Sequence, residues 1–362
     1  MKPLIHARML ACLVFLTPLV AACGPAASEN SEVAVKVADL AGESAGVIVR
    51  GIAFSPDGGQ LAIDSDYENI NIWDWRNHRI VKTITKAQGS NTGLTTNPLS
   101  YSPDGHLFAV CEDRGNGSEF VRAWNTNNWS IAGQITGDGV GGSIAMSFTP
   151  DSGSLIYLVD RSATGGDILV AVSPQTWQRV WSDPIEKNLT PASLAVSPNG
   201  AFAAIAAVRL VPPEDVADIA ERFRQTKEIP TIYVVDLQQR KIVRTMQGNA
   251  MGPMAWSPDS ARIVMGGRGY VEIYDVQSGR VLFQEKLEKP GTMNVRYASD
   301  GRYLLVSDLS GPGKGLGVSI WDSAHHRLLQ QIPGNVGSIS VSKDGRYLAV
   351  STTGETAVWR FK

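Results

Sequence analysis

Apolar and polar positions alternate along this chain at the strand period of two, in short runs that recur in groups of three. In Ile52-Ala53-Phe54, large residues flank a small one. Ser55-Pro56-Asp57-Gly58 then reverses the chain, with Ser, Pro and Gly where a type I turn favours them. A second apolar run, Leu61-Ala62-Ile63, passes through polar residues into a third, Ile70-Asn71-Ile72-Trp73-Asp74. The same plan returns until the C-terminus, with turns reading SPDG, SPDG, TPDS, SPNG, SPDS, ASDG and SKDG. Their second positions are Pro56, Pro103, Pro150, Pro198, Pro258, Ser299 and Lys343, at spacings of 47, 47, 48, 60, 41 and 44 residues.

A repeat of roughly 40 to 45 residues is the length of a four-stranded blade. Seven turns therefore predict an all-β, seven-bladed β-propeller of four-stranded antiparallel blades over residues 33–362, with the wide spacing assigned to an insertion, 211–230, in blade 4. Two and four places before each marker stand large residues such as Phe54 and Ile52 or Trp256 and Met254, which share a strand face and are expected to pack between blades. Between them lie Ala53, Ser100, Ser147, Ala195, Ala255, Arg296 and Ser340, small as an innermost strand requires except for Arg296. The last repeat supplies three strands, and Val33 to Val37 precedes the first with strand alternation, so this segment is predicted to close the ring as the missing fourth strand.

Third strands end in Trp73-Asp74, Trp124-Asn125, Val172-Ser173, Val235-Asp236, Tyr274-Asp275, Trp321-Asp322 and Trp359-Arg360. With the turns, these endings make the chain resemble the WD40 family and the bacterial SPDG-turn propellers of the Tol-system type over residues 33–362. The repeats lack the Gly-His pair that anchors a hydrogen-bond network in WD40 blades, so that network is not carried over. Asp66 matches the family's structural Asp but has no such His partner.

The N-terminus adds a location. Lys2 and Arg8 precede an apolar stretch, Met9 to Ala22, too short to span a bilayer comfortably. Val20-Ala21-Ala22-Cys23 resembles the lipobox of bacterial lipoproteins, which implies a signal peptide over 1–22, acylation of Cys23 and a flexible tether over 23–32. Gly24 in place of Asp implies outer-membrane sorting, and the protein is expected to face the periplasm, touching the membrane through its lipid. Without the leader, 31 basic residues meet 35 acidic ones, so nothing attracts nucleic acid electrostatically. Cys111, in the apolar run Leu107 to Cys111, reads as a buried small hydrophobe.

Turns between first and second strands, and between third and fourth, are short, so one face of the disc is trim. Long connections gather on the other: 86–97, 112–119, 160–167, 210–230 and 308–317. In the largest, Pro212-Pro213-Glu214-Asp215 suits a helix start, and Val216, Ile219 and Phe223 form an apolar stripe. Val216, Ile219, Arg222, Phe223 and Gln225 are candidate partner contacts. Arg296 is a candidate anion-binding residue in the central channel, or pairs with a carboxylate. His78, His106, His325 and His326 lie in turns without metal spacing, and residues 64–68 and 311–317 match neither a calcium loop nor a phosphate loop. No catalytic motif, metal or cofactor is expected. The reading is a monomeric, non-enzymatic interaction platform for envelope proteins; the alternatives are a hydrolase or lactonase-like propeller using Asp64, Glu112, Asp160 and Asp308, a small-ligand binder at the channel mouth, and an envelope-assembly accessory factor.

Overall fold

The computed structural model describes residues 32–362 apart from 41–48, 65–68, 87–98, 114–118, 137–142, 160–167, 187–188, 288–291, 309–316, 335, 353–354 and, within the blade 4 insertion, 215, 217, 219–220 and 222–223. Seven four-stranded antiparallel sheets make up this unit, and each of six is built from consecutive strands. The seventh takes three strands from the C-terminal repeat, ending with Glu355–Phe361, and its fourth from Ala34–Leu40. The predicted closure is therefore present and runs three residues further than Val37.

Seven buried clusters fill the seven interfaces between neighbouring blades, the last joining Ala38, Leu40, Ala349 and Val358 of blade 7 to Ile52, Phe54 and Leu61 of blade 1. A ring follows from that count. The residues two and four places before each marker enter these clusters, as the strand period requires.

Each turn after a first strand is held by its own chemistry. Gly58 N donates to Ser55 O at 2.8 Å, the Ser55 hydroxyl donates to Asp57 Oδ1 at 2.5 Å, and Gly59 N donates to the same carboxylate at 2.9 Å. The fourth turn residue has positive φ in every blade, glycine in five and Ser152 and Ser260, both at 59°, in the other two. Those serines gain a compensating bond across the blade interface: Asp104 N donates to Ser152 Oγ at 3.0 Å and Asn199 N to Ser260 Oγ at 3.1 Å.

Hydrogen bonds from Ser55, Thr149 and Ser257, with backbone amides behind them, hold the carboxyls of Asp57, Asp151 and Asp259 below the ordinary range. A depressed folded value stabilises the fold above the unfolded carboxylate pKa of about 3.9, and the stabilisation is lost as pH falls through the folded values. Thermal melts are expected to show a falling midpoint below about pH 4, with a shallower fall in Ser257→Ala; an identical acid slope in that variant would contradict the assignment.

The outer strands carry a feature the sequence pattern concealed. In all seven blades the pairing of third and fourth strands slips by one residue at the same level, between Ile72 and Trp73 in blade 1 and between Lys36 and Ala38 in blade 7. Such bulges turn consecutive aliphatic residues outward, which accounts for exposed Ile80-Val81, Ile242-Val243 and Val281-Leu282. That blade 7 keeps the bulge, although its outer strand comes from the other end of the chain, marks residues 34–40 as a true fourth strand.

Candidate functional site

Antiparallel order puts the turns after first and third strands on the trim face and the remaining connections on the other. Ala34 pairs with Phe361, whose amide donates at 2.9 Å to Arg346 O beside the SKDG turn. The closing strand therefore enters the disc on the trim face.

On the opposite face, blade 4 projects. Its second and third strands, Phe202–Val211 and Lys227–Asp236, pair over ten residues each, whereas its fourth begins pairing only at Thr231↔Gln247. The ends of the predicted insertion are thus strand: Val208 to Val211 pair with Pro230 to Lys227. Arg268 of blade 5 holds Glu228 at 2.7 Å, and Arg209 lies 3.9 Å from Glu186 of the preceding connection, so the stem is braced on both sides. Between the strands, helical backbone is described at Glu221, Arg224 and Gln225. It starts later than Pro212-Pro213 suggested, because Asp218 is the residue that caps it: Glu221 N donates to Asp218 Oδ1 at 2.7 Å. Gln225 Nε2 donates to Glu221 Oε1 at 2.6 Å, one turn back. Of the candidate contacts, Val216 is half-buried and Gln225 exposed, while Ile219, Arg222 and Phe223 lie outside the described residues.

Two of the acids proposed for a hydrolytic site are each held in an ion pair of their own. Asp64 is fully buried and takes Lys86 Nζ at 2.7 Å, with both side chains shielded from solvent. Glu112, also fully buried, is gripped by Arg122. Asp160 lies outside the described residues, and Asp308 ends the second strand of blade 6 opposite Gly317. Lys86 and Arg122 were not singled out from sequence, although Arg122 faces Glu112 diagonally across adjoining apolar strands, a legible signal. A third buried acid, Glu272 in blade 5, is also structural: it accepts from Asn249 N and Ala250 N at 2.9 Å, from the Tyr274 hydroxyl at 2.5 Å and from Gln284. Burial acts to raise its pKa, but those donors outweigh burial and hold it below the usual range.

The histidines diverge. His325 bonds Asp322 at 3.1 Å in solvent, whereas the His326 ring stacks on Phe283 with centroids 4.4 Å apart, and burial lowers its pKa. Cys111 is buried among apolar side chains, as its strand position predicted. Trp73, Trp321 and Trp359 bury indole N–H groups without an acceptor, consistent with the missing Gly-His network.

All seven small-position residues line the central channel. A cavity of about 480 Å³ is bordered by Ala53, Ser100, Arg296 and Ser340, and a second of about 290 Å³ by Ser100, Ser147, Ala195, Ala255 and Arg296. Arg296 borders both. Its Nη1 donates to Val295 O at 2.9 Å, and burial pushes its pKa down to about 10.

No family model matches the chain. It is 23% identical over 268 residues to SEC12-like protein 2 of Arabidopsis thaliana, a match covering 73% of this chain and 58% of that protein. The chain thus spans less than two thirds of that relative's length. What is common ground is a WD40-like β-propeller architecture; such folds host both binding and catalysis, and residues, not fold, decide between them.

Proposed function

We propose that this protein is a lipid-anchored propeller of the bacterial envelope that serves as a non-enzymatic platform for other envelope proteins, presenting its long-connection face. The observation that carries the reading is that the closing strand enters on the trim face, opposite the projecting blade 4 hairpin. A lipid on Cys23 would anchor the chain from the side on which its closing strand enters, which leaves the hairpin on the opposite side for a partner. The buried pairing of Asp64 with Lys86 and of Glu112 with Arg122 weighs against the hydrolase alternative.

Metabolic labelling with an alkyne-bearing fatty acid tests the anchor, and replacing residues 212–226 by Asn-Gly tests the platform. Label is expected on the native chain and not on Cys23→Ser. Proteins that co-purify with the native chain are expected to be lost on loop replacement while the melting midpoint is kept. An unlabelled native chain, or the same co-purifying set after replacement, would overturn the respective half.

A further inference from the structure

Two residues break the repeat with a positive charge on the channel side, and they do so in different blades. Arg296 of blade 6 stands where the other blades have Ala or Ser, and Lys343 of blade 7 stands where five blades have Pro. The fold brings both to one cavity, that of about 480 Å³, whose lining contains no carboxylate among the described residues. Ser100, Ser338 and Ser340 are part of the same wall. Lys343 reaches over the mouth, its Nζ 3.2 Å from Pro103 O of blade 2, so the ammonium is held above the opening.

We propose that the central channel, entered from the trim face, binds a compact anion that presents a carboxylate or phosphate group to Arg296 and Lys343. A guanidinium offers paired N–H donors matched to such oxyanions, and the ammonium adds a point charge. Partial burial strengthens the attraction relative to open solvent. Around the mouth, Asp57, Asp104 and Asp344 accept their own turn hydroxyls at 2.5, 2.5 and 2.6 Å. They leave a negative surround, so the site suits a small anion inserted into the channel and disfavours an extended polyanion on the face. This inference does not depend on the anchor or on the hairpin.

The test is a thermal melt of the full chain in inorganic phosphate and, separately, in citrate, at constant ionic strength with chloride as control. A ligand that binds only the folded state raises the midpoint in a saturable way. Saturable stabilisation by at least one probe is expected in the native protein, weakened about tenfold or more in Arg296→Lys, where bidentate geometry is lost, and abolished in Arg296→Gln. Lys343→Ala is expected to weaken it, and Arg360→Gln to leave it unchanged. Isothermal titration of each variant confirms affinity independently of its starting stability. Absence of saturable binding of both probes to the native protein, or equal binding to Arg296→Gln, would overturn the proposal and leave Arg296 as a channel filler.

Discussion

A chain lacking residues 33–40 is expected to lose the cooperative fold, or to melt more than about 10 °C below the native chain. With an unfolding entropy of about 2.1 cal/mol/K per residue, each kcal/mol lost is worth roughly 1–2 °C in a unit of this length, and the loss of a whole strand removes on the order of ten. Ala34 and Leu40 are fully buried, Ala34 in the interface of blades 6 and 7 and Leu40 in that of blades 7 and 1. Removing the strand also bares the ladder edge of Glu355–Phe361, a template for aggregation. Gln330 of blade 6 locks the strand's start, accepting from Val33 N and Ala34 N at 2.7 and 2.8 Å and donating to Ala34 O at 2.9 Å. Gln330→Ala, a milder variant that should still fold, is expected to cost about 1–3 kcal/mol by leaving those groups unpaired. A native-like melt for the deletion would contradict ring closure by the N-terminal strand.

Lys86→Met is expected to destabilise the fold by about 3–5 kcal/mol, because it takes the ammonium away from the buried Asp64 carboxylate. The physical reason is asymmetric: attraction between two buried charges roughly repays their desolvation, and a charge that loses its counter-ion keeps the cost without that repayment. The double variant Asp64→Leu/Lys86→Met should therefore recover most of the loss. Chemical denaturation of both variants checks this; a double variant as unstable as the single one would mean that packing, and not charge, decides the site.

The ring was legible because its signals are local and repeated. A type I turn needs Ser, Pro and Gly in fixed places, and seven copies of Ile52-Ala53-Phe54-like alternation leave little freedom for a different layout. The closing strand was legible from alternation and a vacancy. What escaped depends on long-range pairing. The outer-strand bulge has no residue signature, since Val81, Val243 and Leu282 look like any strand aliphatic. Acids such as Asp64 looked available because their partners are remote; Lys86 lies beyond two intervening strands and reaches back through the fold. In the insertion, Pro212-Pro213 resembled a helix start, yet the strands run to Val211 and from Lys227, and Asp218 is the cap. Arg296 stood out in sequence as a broken rule, but only the fold joins it to Lys343.

The central claim, an interaction platform with a partner-facing side, is tested most directly by photo-cross-linking in intact cells. A photoreactive residue at Gln225, exposed on the blade 4 hairpin, is compared with one at Lys343 on the trim face. The account predicts a discrete protein adduct from Gln225, lost when residues 212–226 are replaced by a short turn, and no protein adduct from Lys343. Protein adducts from Lys343 alone, with the chain folded and Gln225 silent, would contradict it and turn the disc over.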